Sequence, residues 1–107
     1  MKLTRIDASH PLFEASFTLY EASFPPNERR MREDHLRALQ DADFSPLGAV
    51  EDGMLLADVF LWETEDFCYL EHFAVQPSLR GHGTGSTILR QLLTQDKPLT
   101  VSYTHLT

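Results

Sequence analysis

The sequence predicts an α/β domain of the α+β type, with helices packed on a mixed, mostly antiparallel sheet. Three observations predict it. Asp52-Gly53 stands between two runs rich in apolar and aromatic residues, which signals a two-residue hairpin. A third run, Phe67 to Val75, is apolar on both faces, as a central strand should be. After it come Pro77, Arg80 and glycines at 81, 83 and 85, and then an amphipathic run, so a strand passes through a tight loop into a helix.

In chain order, Met1 to Asp7 alternates loosely and reads as a first strand. Ser9 is placed to cap a helix with Pro11 in its first turn. Phe13, Phe17, Tyr20 and Phe24 then recur at helical spacing, and the stripe reads as core. Pro25 and Pro26 end that helix. Glu28 to Gln40 reads as a second, shorter helix, with Arg29, Arg30 and Arg32 on a solvated start; the alternative for these arginines is an acidic ligand. Phe44 to Val50 is a strand, and Met54 to Glu63 returns beside it, with high strand propensity at Val59, Phe60, Leu61 and Trp62. Glu63 to Asp66 is an acidic turn. Ser86 to Leu93 is a helix burying Ile88, Leu89 and Leu92, and Lys97 to Thr100 starts a further strand. The order is β-α-α-β-β-β-α and the start of a β, in one domain over residues 1–100.

Composition narrows the function. With 107 residues the chain has room for one domain and a modest core. A net charge of −7 argues against nucleic-acid and anionic-membrane partners. A single cysteine, Cys68, allows no internal disulfide, fits a cytoplasmic location and reads as packing. No apolar run approaches membrane-spanning length and no signal-peptide core is present. No His, Cys and Asp cluster has metal-ligand spacing, so no metal is expected.

The segment V-Q-P-S-L-R-G-H-G-T-G-S, Val75 to Ser86, is the most informative. Gly81, Gly83 and Gly85 permit tight turning and close approach of backbone amides to a ligand. The helix that follows adds unpaired N-terminal donors and the positive end of its dipole. Together these favour a phosphate or pyrophosphate. A P-loop is excluded because no Lys follows the glycines. A dinucleotide fingerprint is excluded because its third glycine would fall at Ser86.

Y-L-E-H-F-A-V-Q-P-S-L-R-G-H-G-T-G-S-T-I-L resembles the acetyl-CoA motif of the GCN5-related N-acetyltransferases, in which a strand ends before Pro and Arg/Gln-x-x-Gly-x-Gly/Ala follows. Arg80, Gly83 and Gly85 match the last three positions. The resemblance implies that acetyl-CoA is the cosubstrate. It implies that the amides of Arg80, Gly81, His82, Gly83, Thr84, Gly85 and Ser86 bind its pyrophosphate, with His82 contributing only backbone. It also implies that the backbone of Phe73, Ala74 and Val75 pairs with pantetheine as if with another strand. The segment F-P-x-x-E-R is similar to one near the substrate side of small bacterial members of the family.

Acetyl transfer to an amine needs loss of an ammonium proton, since a Lys-type amine has a pKa of about 10.4. It also needs stabilisation of the thioester oxygen. Glu71 is the candidate catalytic base. By alternation it shares a face with Tyr69, Phe73 and Val75, and a carboxylate among apolar neighbours is expected to have a raised pKa. The same strand carries a catalytic glutamate in some members of the family. His72 faces the other way on this reading and is a satisfied core residue. A backbone N–H between Phe73 and Val75 is the expected oxyanion donor.

The resemblance implies more chain after the glycine-loop helix: strands, a helix, and often a Tyr that protonates the thiolate. Here V-S-Y-T-H-L-T, residues 101–107, reads instead as translated sequencing-adapter sequence, so Tyr103 is not assigned that role. The expectation is an N-terminal portion of an N-acetyltransferase acting on a small-molecule or peptide amine, weak or inactive alone and prone to self-association. The rival is a CoA-binding or regulatory module without chemistry. The acceptor and the oligomeric state are not encoded in any legible motif.

Overall fold

The computed structural model describes residues 1–94 and 99–101. Its elements are β1 (Lys2–Arg5), α1 (Phe13–Ser23), a 3₁₀ turn (Pro26–Glu28), α2 (Arg32–Ala38), β2 (Phe44–Glu51), β3 (Met54–Glu63), β4 (Cys68–Val75), a second 3₁₀ turn (Pro77–Leu79), α3 (Thr84–Leu93) and β5 (Leu99–Val101). The strands lie side by side in chain order. The first three pairings are antiparallel, and β4 with β5 is parallel. This is the mixed sheet and the element order that the sequence predicts. Lys97 and Pro98 of the expected last strand, and residues 102–107 of the expected non-native tail, lie outside the described residues.

The Asp52-Gly53 hairpin forms as its dipeptide demands. Both residues have positive φ, 52° and 76°, which matches the twist of the paired strands. The sheet then buries apolar side chains on both faces. Ile6, Phe13, Phe17, Tyr20, Phe24, Phe44 and Phe60 form the core beneath α1 and α2. Val59, Leu61, Cys68, Leu70, Phe73, Val75, Ile88 and Leu92 form a second core beneath α3. The aromatic stripe of α1 is core, as its spacing implies. Cys68 packs in the α3-side core. Gly48 lets β1 and β3 close over β2, because a Cβ there would overlap Ile6 Cδ1 and Leu55 Cδ1.

Three helix boundaries differ from expectation; α3 begins at Thr84 and not Ser86, and of its expected core residues Leu89 is only partly buried. Ser9 does not cap α1: its N–H and hydroxyl donate to the Asp7 carboxylate at 3.0 and 2.8 Å. That local turn delays the helix to Phe13, and no side chain caps it. The expected helix from Glu28 to Gln40 is broken. Arg29 and Met31 are extended, and only Arg32–Ala38 is α-helical. The residues that interrupt it are spent on tertiary bonds. Arg29 Nε donates to the Phe24 carbonyl at 2.9 Å, and the Arg30 N–H donates to Tyr20 Oη at 2.6 Å.

Candidate functional site

The glycine loop joins β4 to α3 and lines a cleft of about 350 Å³ with Val75, Leu79, Arg80, Gly81, Gly83, Gly85 and Ser86. Gly81 and Gly83 have φ of 83° and 79°, a region that L-residues rarely adopt. Gly83 is the residue before α3, and no side chain caps that end. The first amides of a helix have no partner within it, and of the first α3 residues Gly85 and Ser86 line the cleft. Two amides of the expected set are engaged elsewhere: Arg80 N–H reaches Pro77 O, and His82 N–H reaches Leu79 O, each at 3.4 Å. Arg80 itself is tied back to the strand, its Nε donating to Val75 O at 3.1 Å.

Gly85 differs from the other two. It is helical, and a Cβ on it would make ordinary contacts of 3.5 Å with Val75 and 3.7 Å with Phe73. Neither the backbone nor the packing requires glycine here. What a Cβ would change is the surface that Gly85 offers to the cleft.

Beside the loop, β5 pairs with β4 at Cys68, Tyr69 and Leu70. Among the described residues no strand pairs with the same edge of β4 from Phe73 to Val75. The backbone stretch expected to meet an extended ligand therefore lies just past that ladder.

Glu71 departs from the expected alternation. Phe60 faces His72 while Leu61 faces Leu70, so Glu71 is the extra residue of a β-bulge. The strand changes phase at this point. Phe73 and Val75 pack under α3. The Glu71 carboxylate instead lies on the α1 and α2 side, with Trp62 and Arg30. His72 faces that side too, at 4.9 Å from the Tyr20 ring and 4.7 Å from the Phe24 ring. The shared face with Phe73 and Val75 is thus corrected, and so is the opposite orientation of His72.

The expected raised pKa is also reversed. Burial opposes the Glu71 charge, but hydrogen bonding from His72, the Arg30 charge, and hydrogen bonds from Arg30 and Trp62 outweigh it and hold the carboxyl at about 2. Arg30 Nη1 donates to Oε1 at 2.6 Å and Trp62 Nε1 at 3.1 Å, while His72 Nδ1 lies 3.3 Å from the same oxygen. His72 Nε2 in turn meets the Glu28 carbonyl at 2.8 Å. Sequence reasoning gave Arg30 no such partner. The arginines read as a solvated helix start are each tied to the protein: Arg29 to Phe24 O, Arg30 to Glu71 and Arg32 to Glu14.

Two further buried groups were missed. His35 sits among Phe13, Phe17, Tyr20, Phe44 and Phe60, and burial together with the Arg30 charge pushes its imidazole down to about 4. Asp58 on β3 is fully buried and accepts the Ser16 hydroxyl of α1 at 2.7 Å; burial raises its pKa well above the carboxylate range. A charged residue inside an apolar strand is the one signal that marks Asp58 in advance.

Residues 10–103 match the model of the acetyltransferase (GNAT) family. No curated protein matches the chain. Among solved structures, a GNAT-family chain from Bacteroides thetaiotaomicron has 26% identity and a TM-score of 0.86, over 94% of this chain and 59% of that one. A ribosomal-protein-alanine N-acetyltransferase from Brucella melitensis biovar Abortus 2308 has 20% identity and a TM-score of 0.69, over 95% of this chain and 80% of that one. An aminoglycoside 6'-N-acetyltransferase complexed with coenzyme A has 15% identity and a TM-score of 0.65, over 86% and 53%. The last two show likeness of fold alone. With the family match over nearly the whole chain and the glycine loop at its strand-to-helix junction, this chain belongs to the GNAT acetyltransferase family.

Proposed function

We propose that the chain is the acetyl-CoA-binding portion of an N-acetyltransferase that acetylates a primary amine. One observation carries the reading: Gly85, at the amide-presenting end of α3, is a glycine that neither φ nor packing demands. A ligand lying against its Cα supplies the missing reason.

Acetyl-CoA supplies an activated acyl group: its C–S bond breaks as the amine nitrogen bonds the carbonyl carbon, one of the two protons shed by the ammonium goes to the thiolate, and the other goes to water. The chain's own residues bind and orient. The amides at Gly81, Gly83, Thr84, Gly85 and Ser86 hold the pyrophosphate, helped by the dipole of α3. Arg80 and His82 shape the loop through their backbone. The β4 edge at Phe73, Ala74 and Val75 holds pantetheine, and an N–H there faces the thioester oxygen. Glu71 is the acceptor-side catalytic residue, acting by fixed charge: a carboxyl held at about 2 does not store a proton at neutral pH but draws and aligns an ammonium.

Calorimetric titration with acetyl-CoA tests the reading. Wild type is expected to bind, and Gly85→Ala to bind at least tenfold more weakly, about 1.4 kcal/mol, with its fold unchanged by circular dichroism. No binding by wild type, or equal affinity in the variant, overturns it. The same depressed Glu71 favours a second reading, a CoA-binding module without chemistry. Acetyl-transfer rates of wild type and Glu71→Gln separate the two: a large loss marks an enzyme, whereas binding without turnover in either marks a module.

A further inference from the structure

Arg30 is held through its backbone N–H and both terminal nitrogens, while its buried Nε has no hydrogen-bond partner among the described residues. Its N–H donates to the buried Tyr20 hydroxyl at 2.6 Å. Its guanidinium lies 5.0 Å from the Phe44 ring centroid and 5.7 Å from that of Tyr20, a cation–π arrangement. Its Nη2 lies 3.5 Å from His35 Nδ1. It occupies the extended stretch that breaks the expected helix, so backbone and side chain together aim it at β4. The Arg30 and Glu71 side chains are only 18% and 19% exposed.

The form of the pair is informative. Arginine and carboxylate commonly meet fork to fork, two N–H groups on two oxygens. Here Arg30 meets Glu71 end-on, through Nη1 and Oε1, while Nη2 turns toward His35. Trp62 and His72 approach that same Oε1. Three groups, Arg30 from the stretch before α2, Trp62 from β3 and the adjacent His72 of β4, converge on one oxygen of a carboxylate at a β-bulge. A pair serving stability alone gains more by using both oxygens.

We propose that Arg30 is the positioning residue of the acceptor side: by fixing Glu71 through Oε1 it turns Oε2 toward the place where the acceptor's amino group binds. Lysine would keep the charge but lose the planar face that lies over Phe44 and Tyr20. The role in acceptor binding rests on the acetyl-transfer reading; the fixing of the carboxylate does not. The titratable and charged groups facing Glu71 are Arg30, His72 of β4, His35 of α2 and Tyr20 of α1.

The chain carries its own reporter, because Trp62 is its one tryptophan and bonds directly to Glu71. The experiment follows Trp62 fluorescence and the ¹³C carboxyl shift of Glu71 against pH. Wild type is expected to show no Glu71 step between about pH 3 and pH 6, any change near pH 4 being that of His35. Arg30→Gln is expected to move the Glu71 midpoint upward from about 2, while the His72 and Trp62 contacts remain. Arg30→Lys keeps the midpoint low, and Arg30→Gln with Glu71→Gln abolishes the step. A wild-type midpoint of about 4.3, the free glutamate value, overturns the proposal without any variant, and so does an Arg30→Gln profile identical to wild type. Acetyl-CoA calorimetry on the wild-type chain separates the two readings. If acetyl-CoA binds but the midpoint stays put, this proposal fails and the acetyl-CoA reading stands. If the midpoint moves but no acetyl-CoA binds, the fixing of Glu71 is real and its catalytic purpose is overturned.

Discussion

At the scale of single residues, three buried ionisable groups give stability responses to pH of opposite sign. Glu71 is depressed in the fold from 4.5 to about 2. It therefore contributes stability above its unfolded value, and that contribution is lost as pH falls from about 4.5 toward 2. The amount is on the order of 2 kcal/mol once its partial exposure to solvent is allowed for. His35 acts in the same direction at higher pH. Its folded value is lowered to about 4, so stability is lost as pH falls from 6.5 through that range. Asp58 has the opposite sign. Its folded pKa is raised, so its contribution is complete below the unfolded value and is lost as pH rises through the folded one. Urea midpoints across pH are expected to show Glu71→Gln flattening the acid limb below pH 4.5. Asp58→Asn is expected to remove the loss of stability that sets in as pH rises above the unfolded value of 3.8. A profile above pH 3.8 unchanged by Asp58→Asn counts against the buried-acid assignment.

At the scale of elements, the glycines sort by what each one serves. Gly83 turns the chain into α3 with φ of 79°, and alanine there is expected to cost about 1–2 kcal/mol of stability. Gly48 makes room for Ile6 and Leu55, and alanine there is expected to cost about 1–3 kcal/mol through overpacking. Gly85 sits in α3 without such a constraint, and alanine there is expected to be neutral or stabilising in thermal melts, by up to about 1 kcal/mol of helix propensity. Melts that rank the three alanine variants in any other way break this division. The strands, the hairpin, α1 and α3 were legible because local chemistry and tertiary demand coincide in them: Asp52-Gly53 wants positive φ, and Ile88 and Leu92 lie one turn apart on the buried face of α3. The start of α1 was not legible, because Asp7 captures Ser9 before it can cap. The break before α2 was not legible either. Its cause is Tyr20 Oη and Glu71, which are 10 and 41 residues away from Arg30 and invisible to any local pattern.

At the scale of the whole molecule, one sheet separates two cores that share only its backbone. Ile6 is buried on the α1 side and Ile88 on the α3 side. Ile6→Val and Ile88→Val are each expected to cost about 0.5–1.5 kcal/mol. Their effects are expected to add within about 0.5 kcal/mol in the double variant, since the sites share no partners. A larger discrepancy in chemical denaturation means that the faces communicate through the sheet. The location of the glycine loop was legible because a strand, a proline, glycines and a helix start fall together. The side to which Glu71 turns was not, because β4 is apolar on both faces and a one-residue change of phase leaves no trace in its pattern. That change of phase has a further meaning. With Glu71 left out, Cys68, Tyr69, Leu70, His72, Phe73, Ala74 and Val75 alternate without interruption, and Cys68, Leu70, Phe73 and Val75 all keep the α3 side that they occupy now. The glutamate is supernumerary to the sheet. A regular ladder exists without it, so what it adds is its contacts with Arg30, Trp62 and His72 and not a rung of the sheet.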